Sequence, residues 1–292
     1  MDRQLEFDFL SMSRATLGES PVWSAGGNCL WWVDIEGSRV FRTDASTGRT
    51  VEWSTPEMAG IAACCGGGGV VVGMESGLFH LHLSTGHFER VAALNERGVR
   101  FNDATVDSMG RLWAATMEFA YRRPAGILYR IDPDFTMHEV VTGLFIPNGL
   151  AVDEERGRLY FSDSHPDLQT VWCADLDFRS GSIGERRIFA RFENRRGRPD
   201  GATIDADGNY WIAGVGGGSL HVFSPEGDHL HQYEVPVDNP TKIAFGGSDL
   251  NQIYLTSKAD RGNGGRLAVT RTGSRGRMSF SFGDRLRERD HT

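Results

Sequence analysis

The chain has 292 residues, 39% of them hydrophobic, which is enough for one large core, so we expect a single domain over residues 1–292. The formal net charge of -8 is spread along the chain, and no basic stripe with interleaved aromatic residues offers a surface for phosphate groups, which argues against a nucleic-acid partner. No apolar run approaches the ~20 residues that a membrane-spanning helix needs, so we expect no membrane partner.

The N-terminal residues 1–8 carry charges within a short apolar alternation and lack the basic, apolar and small-residue order of a signal peptide. The four cysteines are too few and too scattered for a disulfide scaffold. The vicinal pair Cys64-Cys65 matches neither a redox motif nor a zinc knuckle. These features predict a cytoplasmic protein, and we expect a monomer or a weak oligomer.

One pattern recurs along the chain: a Gly-rich turn, an aromatic or β-branched strand, a polar break and a second strand. The units begin near Gly27, Gly69, Gly110, Gly157, Gly208 and Asn251. Their spacing of about forty to fifty residues is the period of a four-stranded propeller blade. Second strands such as 78–83 and 127–132 alternate with period two, so one face of each is suited to pack on a neighbouring blade. The sequence therefore predicts an all-β fold, a six-bladed β-propeller.

Two other all-β architectures fit this pattern less well. A β-sandwich does not explain the regular period, and the repeat of a parallel β-helix is much shorter. A propeller leaves no exposed strand edges only if the last blade borrows a strand from the other end of the chain. We expect the alternating segment 5–10 to serve this purpose by pairing with the C-terminal segment 278–282.

Three short polar segments lie far apart in the chain. They are residues 17–23, 145–150 and 198–201. Each places one oxygen-bearing side chain, Glu19, Asn148 or Asp200, beside a Gly or Pro that tightens the backbone. Glu, Asn and Asp together form an oxygen-only set suited to a divalent cation. Each residue alone is better explained by local structure, Glu19 as a turn cap, Asn148 as a left-handed turn residue and Asp200 as an Asx turn, but together they predict one metal site at the centre of the propeller.

Five motifs in this chain are similar to those of the regucalcin/gluconolactonase family. They are Leu-Gly-Glu-Ser-Pro-Val-Trp at 17–23, Arg-Phe-Asn-Asp at 100–103 with the run 106–113, Pro-Asn-Gly-Leu at 147–150, the run 198–211 that begins Arg-Pro-Asp-Gly, and Ala-Phe-Gly-Gly at 244–247. Because the motifs keep their order, the resemblance covers nearly the whole chain. It implies a six-bladed propeller with a divalent metal in its central channel and an activity that hydrolyses sugar lactones.

The resemblance also implies roles for individual residues. Glu19, Asn148 and Asp200 would be the metal ligands, and Asp200 would also transfer the proton in catalysis. The identity of the cation is not specified: Ca²⁺, Zn²⁺, Mg²⁺, Mn²⁺ and Fe²⁺ are all candidates, since all of them accept oxygen ligands. Arg100 and Asn102 match the family's substrate-contacting pair, and two residues apart in an extended segment they project to the same face.

Three further acids have less definite roles in the sequence. Asp103 would either bind the metal through a water molecule or orient Asn102. Asp34 and Asp163 follow aromatic strands at similar places in their repeats, where a carboxylate commonly binds turn amides, and a role behind the site is the alternative.

One loop departs from the family pattern. Where regucalcin-type members have a sugar-contacting Glu, direct alignment places Ala120. Glu118 is a candidate for this contact although it lies two residues away. The loop residues Tyr121, Arg122 and Arg123 are the alternative.

The sequence thus predicts a divalent-metal-dependent hydrolase that opens a sugar lactone, its small-molecule partner, to the aldonic acid. No G-x-S-x-G elbow is present, which disfavours nucleophilic serine catalysis. Two alternatives remain: a non-catalytic calcium-binding or interaction propeller, and a lactonase or phosphotriesterase-like hydrolase of less polar substrates. The sequence does not indicate which lactone is bound.

Overall fold

The structure, a computed structural model, describes residues 5–66, 69–260 and 262–283. These residues form 25 strands arranged in six antiparallel sheets, and none of them is in an α-helix. The first strand is β1 (Asp8–Arg14). No described segment forms a helix that is long and apolar enough to cross a membrane.

Except for β1, the strands of each blade follow one another in sequence. Blade 1 contains β2 (Gly18–Ser24), β3 (Cys29–Asp34), β4 (Arg39–Asp44) and β5 (Thr50–Ser54). Blade 2 contains β6 (Ile61–Cys64), β7 (Val70–Gly73), β8 (Gly77–His82) and β9 (His87–Ala93). Blade 3 contains β10 (Val99–Val106), β11 (Leu112–Glu118), β12 (Gly126–Ile131) and β13 (Met137–Leu144). Blade 4 contains β14 (Pro147–Asp153), β15 (Arg158–Asp163), β16 (Thr170–Asp177), β17 (Ser182–Ile183) and β18 (Arg187–Arg191); blade 5 contains β19 (Arg198–Ile204), β20 (Tyr210–Val215), β21 (Ser219–Phe223) and β22 (His229–Glu234); blade 6 contains β23 (Pro240–Gly246), β24 (Gln252–Ser257), β25 (Arg266–Arg271) and, from the N-terminus, β1.

The first strands of the blades, β2, β6, β10, β14, β19 and β23, form the innermost layer. Each contacts the next one around the axis, and β23 contacts β2, so the sheets close into a ring. This arrangement confirms the six-bladed β-propeller that the repeat predicts. It also brings residues from distant parts of the chain to one central channel.

The ring closes differently from the expected arrangement. As predicted, an N-terminal strand completes the last blade, but β1 pairs with β25, with Phe9 opposite Ala268, and not with segment 278–282. The C-terminal segment instead crosses beneath several blades, and Phe282 N donates to Cys64 O at 2.7 Å. The physical reason is that β1 already occupies the free edge of β25, so the polar backbone of the segment bonds to other backbone groups, among them the end of β6 at Cys64 and the turn at Gly110.

The hydrophobic core of the described residues lies between the blades. Each of six clusters joins side chains of two neighbouring blades, as where Trp31 of blade 1 packs with Val70 of blade 2. Each fully buried large side chain contributes about 2 kcal/mol. A cavity of about 120 Å³ lies between the C-terminal halves of the inner strands, where Ala104 and Ala202 line it, and the C-terminal residues Met278 and Phe280.

The inner strands are irregular at polar residues. The pairing register shifts between Glu19 and Val22, Phe101 and Asp103, Asn148 and Ala151, Pro199 and Ala202, and Pro240 and Lys242. A bulge interrupts the strict alternation of a strand and turns a side chain in a new direction. Five of the six inner strands therefore present polar residues near the strand beginnings, at the end of the channel that we call its head.

Candidate active site

Arg100, Asn102 and Asn148 form a chain of hydrogen bonds between blades 3 and 4. Arg100 Nη1 donates to Asn102 Oδ1 at 2.6 Å and to Phe101 O at 2.9 Å. Asn102 Nδ2 donates to Asn148 Oδ1 at 3.2 Å and to Pro147 O at 2.9 Å. All three polar side chains belong to buried residues, so the amide oxygen of Asn148 has a defined orientation.

Glu19 and Asp200 are two buried carboxylates that form no ion pair with a described residue. Their relative exposures are only 5% and 8%. Ser20 N donates to Glu19 Oε2 at 2.5 Å, whereas the side chain of Asp200 accepts no hydrogen bond from the described residues. Burying negative charge in this way is unfavourable unless a cation or a proton neutralises it.

The charge of Asp103 acts on both carboxylates, and the charge of Glu19 acts on Asp200. Burial, followed by the charge of Asp103, raises the pKa of Glu19 to about 8. Burial, followed by the charges of Glu19 and Asp103, raises the pKa of Asp200 well above its usual range. Burial lowers the pKa of Arg100 to about 10, partly offset by the charges of Glu19 and Asp200, so this side chain remains a cation at neutral pH.

Asp103 lies in the same cluster but has a partner of its own. Lys242 Nζ, from blade 6, donates to Asp103 Oδ1 at 2.5 Å and to Ala104 O at 2.8 Å. The second carboxylate oxygen of Asp103 accepts a hydrogen bond from Leu150 N at 2.8 Å. No hydrogen bond joins Asp103 to the side chain of Asn102 among the described residues, so the structure provides no support for Asp103 as the residue that orients Asn102.

Lys242 is the member of this cluster that sequence reasoning missed. The available signal was a lysine within an otherwise apolar inner strand, between Thr241 and the run Ile243-Ala244-Phe245. A lysine inside such a strand is rarely buried unless it is paired.

Asp34 and Asp163 bind backbone amides, as their positions in the repeat predict. Asp34 accepts hydrogen bonds from Thr16 N at 3.0 Å and Leu17 N at 2.9 Å, directly before the strand that carries Glu19. Asp163 accepts from Phe145 N at 2.8 Å and Ile146 N at 3.1 Å, directly before the strand that carries Asn148. Each carboxylate therefore holds the segment that leads into the site.

Glu118 lies outside this hydrogen-bonded cluster. Its carboxylate accepts bonds from Arg122 N at 2.9 Å and Arg123 N at 3.0 Å, and Arg123 Nε donates to it at 2.6 Å. The hydrogen bond from Arg123 is the main cause of a lowered pKa of Glu118. Tyr121 in the same loop is exposed and has a φ of +42°, so Glu118 organises a strained loop.

The residues at the head of the channel fit a hard divalent cation. Two carboxylates and one oriented amide oxygen, from blades 1, 4 and 5, supply oxygen donors only. Within the described ranges, no three His, Cys, Asp or Glu side chains are arranged to hold a metal. This finding is compatible with the site, because its third donor is Asn148.

Comparison with known proteins agrees with the architecture. The family model of the SMP-30/gluconolactonase/LRE-like region matches residues 17–259. The chain belongs to this family. The matched region begins at the motif that contains Glu19 and extends into blade 6, so it includes all the residues of the cluster.

Named relatives of the chain include sugar lactonases. The 6-deoxy-6-sulfogluconolactonase of Pseudomonas putida is 35% identical over 257 residues, which are 87% of this chain and 87% of that protein. The pentonolactonase XacC of Haloferax volcanii is 33% identical over 249 residues, which are 85% of this chain and 84% of that protein. Regucalcin of Agrobacterium tumefaciens, described as a calcium-binding protein, has a similar fold, with a TM-score of 0.90 at 24% identity over 97% of this chain and 98% of that one.

Proposed function

We propose that the protein is a divalent-metal-dependent hydrolase that opens a sugar lactone to its aldonic acid. The observation that supports this most directly is the pair of buried carboxylates, Glu19 and Asp200, which have no ion-pair partner among the described residues. The oriented oxygen of Asn148 completes a donor set for a cation. Relatives named sulfogluconolactonase and pentonolactonase support a sugar lactone as the substrate.

In this proposal Glu19, Asn148 and Asp200 hold the cation. A bound divalent cation supplies Lewis-acid polarisation of a carbonyl group and lowers the pKa of coordinated water. The ligands come from three blades, so the rigid ring defines their positions. Asp34 and Asp163 support this geometry because they hold the segments before two of the ligands.

Asp200 is also the proposed proton carrier. The oxygen of water forms a bond to the carbonyl carbon of the lactone while Asp200 accepts a proton from that water. The bond between this carbon and the ring oxygen then breaks, and Asp200 returns the proton to the leaving oxygen, which becomes a hydroxyl group. Asp200 is suited to both transfers because its buried carboxylate accepts no hydrogen bond from the described residues, which leaves an oxygen available for the proton.

Arg100 and Asn102 are the proposed substrate-binding residues. Arg100 uses Nη1 for its bonds to Asn102 and Phe101, while no bond from its Nε or Nη2 to a described residue is present. These donors suit the hydroxyl or ring oxygens of a sugar. Glu118, whose oxygens bind the loop at 122–123, acts on the substrate through that loop in our proposal.

The test is an assay of acid release from a panel of aldonolactones, using chelator-treated protein and protein reconstituted with single divalent metals. We expect the chelated protein to be inactive and activity to return with one metal ion per chain. Asp200→Ala should abolish turnover at every metal concentration without lowering the melting temperature of the metal-free protein, because Asp200 lies at a bulge and its side chain accepts no hydrogen bond from the described residues. Full turnover by Asp200→Ala at high metal would remove the proton-transfer role and leave ligation.

Two other outcomes would replace the proposal. Metal binding without acid release from any lactone would indicate a non-catalytic cation-binding propeller. Preference for lactones or phosphotriesters that lack hydroxyl groups would indicate a hydrolase of less polar substrates, and Arg100 would then have no sugar to bind.

A further inference from the structure

Lys242 is an unusual residue in this protein. The chain has 31 Lys and Arg residues, yet only Lys242 and Lys258 are lysines. The side chain of Lys242 is 7% exposed, whereas that of Lys258 is 48% exposed and pairs with Glu36 at 3.0 Å. A buried ammonium group in a protein that otherwise uses arginine indicates a need for a compact point charge.

The side chain of Lys242 crosses the channel. It starts from β23 in blade 6 and reaches Asp103 and Ala104 in blade 3. On the way it packs against blade 5, since a Cβ atom at Gly201 would lie 2.4 Å from Lys242 Cβ and Cγ. Gly201 directly follows Asp200, so the aliphatic stem of Lys242 contacts the backbone beside a proposed metal ligand.

The ion pair of Lys242 lies beside the proposed metal ligands. Asp103 follows Asn102, whose Nδ2 donates to Asn148 Oδ1 at 3.2 Å, and the stem of Lys242 packs against Gly201, the residue after Asp200. Both carboxylate oxygens of Asp103 accept hydrogen bonds, one from Lys242 Nζ and the other from Leu150 N. The Lys242–Asp103 pair is therefore a neutral unit beside Glu19 and Asp200, neither of which forms an ion pair with a described residue.

We propose that Lys242 is a built-in countercharge that neutralises Asp103 and keeps this third carboxylate out of the metal's coordination sphere. The inference deepens the proposed function and rests on it. Lys242 is a positioning residue: it touches neither the substrate nor the reacting atoms. By holding Asp103, it also preserves the hydrogen bond from Leu150 N, which lies two residues after Asn148.

The proposal predicts changes of opposite sign in metal affinity and in turnover. In Lys242→Met the stem still packs against Gly201 but the positive charge is lost. Without Lys242 the negative charge of Asp103 is no longer neutralised. This charge increases the binding free energy of a divalent ion more than that of a competing proton, because the ion carries twice the charge. We expect metal to bind at least about tenfold more tightly at pH 8.5. We also expect kcat to fall at least about tenfold, because Asp103 turns toward the cation and releases Leu150.

The experiment uses metal-free full-length chain titrated with Ca²⁺ and Mn²⁺ by isothermal calorimetry, followed by kcat and KM at saturating metal. Lys258→Met is the matched control, since it removes the other lysine from an exposed ion pair, and it should match the wild type. Asp103→Asn should have the opposite effect to Lys242→Met and bind metal at least about tenfold more weakly, because an unpaired ammonium then remains. The double variant Lys242→Met/Asp103→Asn, which is again neutral, should bind metal within about threefold of the wild type.

Equal or weaker metal binding by Lys242→Met would overturn the inference, since general damage to the site weakens binding. If that variant does not fold, tighter or unchanged binding by Asp103→Asn would overturn it. Failure of the wild type to bind any divalent ion would instead remove the proposed function and the inference together. These results are distinguishable because the wild type is titrated first.

Discussion

Metal binding by this protein should depend strongly on pH. In the metal-free chain, burial and the nearby charge of Asp103 raise the pKa of Glu19 to about 8. Burial also raises the pKa of Asp200. A cation binds the ionised carboxylates, so below pH 8 it must displace protons, and its apparent affinity falls as the pH falls.

The size of the effect follows from the pKa of Glu19. Two units below a pKa of about 8, about one in a hundred Glu19 side chains is ionised. At pH 8 about half of the Glu19 side chains are ionised, so the apparent dissociation constant should rise about fiftyfold between pH 8 and pH 6, and further if Asp200 also takes up a proton. Above about pH 8, the contribution of Glu19 should reach a plateau.

Calorimetric titration with Ca²⁺ or Mn²⁺ at pH 6, 7 and 8 measures this dependence. Repeating each titration in two buffers with different ionisation enthalpies counts the protons released for each metal bound. Glu19→Gln is the control: it should bind metal more weakly at pH 8 and lose about one power of ten of pH dependence per pH unit. A dissociation constant that is constant between pH 6 and pH 8, with no proton release, would refute the reasoning.

Three further outcomes test the surroundings of the site. Arg100→Lys keeps the charge but loses the guanidinium fork, so we expect kcat/KM for sugar lactones to fall at least about tenfold with metal affinity unchanged; a normal kcat/KM would contradict the substrate role. Gly201→Ala should lower the free energy of unfolding by about 2 kcal/mol in denaturant titration, because the added Cβ would lie 2.4 Å from Lys242 Cβ and Cγ. Gly273→Ala is the control and should be neutral, since no atom lies within 4 Å of its added Cβ. Equal stability of the two variants would show that Lys242 can move aside. Glu118→Gln keeps one oxygen that can accept from the amides of Arg122 and Arg123, so the loop should hold and kcat/KM should stay within about threefold of the wild type; a tenfold loss would instead make Glu118 a direct sugar contact.

The sequence alone predicts the architecture because its signals are local. Turn glycines and alternation within each strand depend on neighbouring residues, and they repeat once for each blade. The functions of Asp34 and Asp163 as binders of turn amides are local in the same sense. The motifs around Glu19, Asn148 and Asp200 were also recognisable, because each combines one donor with a Gly or Pro.

The tertiary structure decided the features that depend on partners far apart in the chain. The expected pairing of segments 5–10 and 278–282 was wrong, because the free edge of β25 is accessible to β1 once the ring has formed. Lys242 and Asp103 are 139 positions apart, and no periodicity of the sequence predicts their ion pair. The raised pKa of Glu19 arises from burial and from the charge of Asp103, both of which exist only after six separate inner strands have closed around one channel.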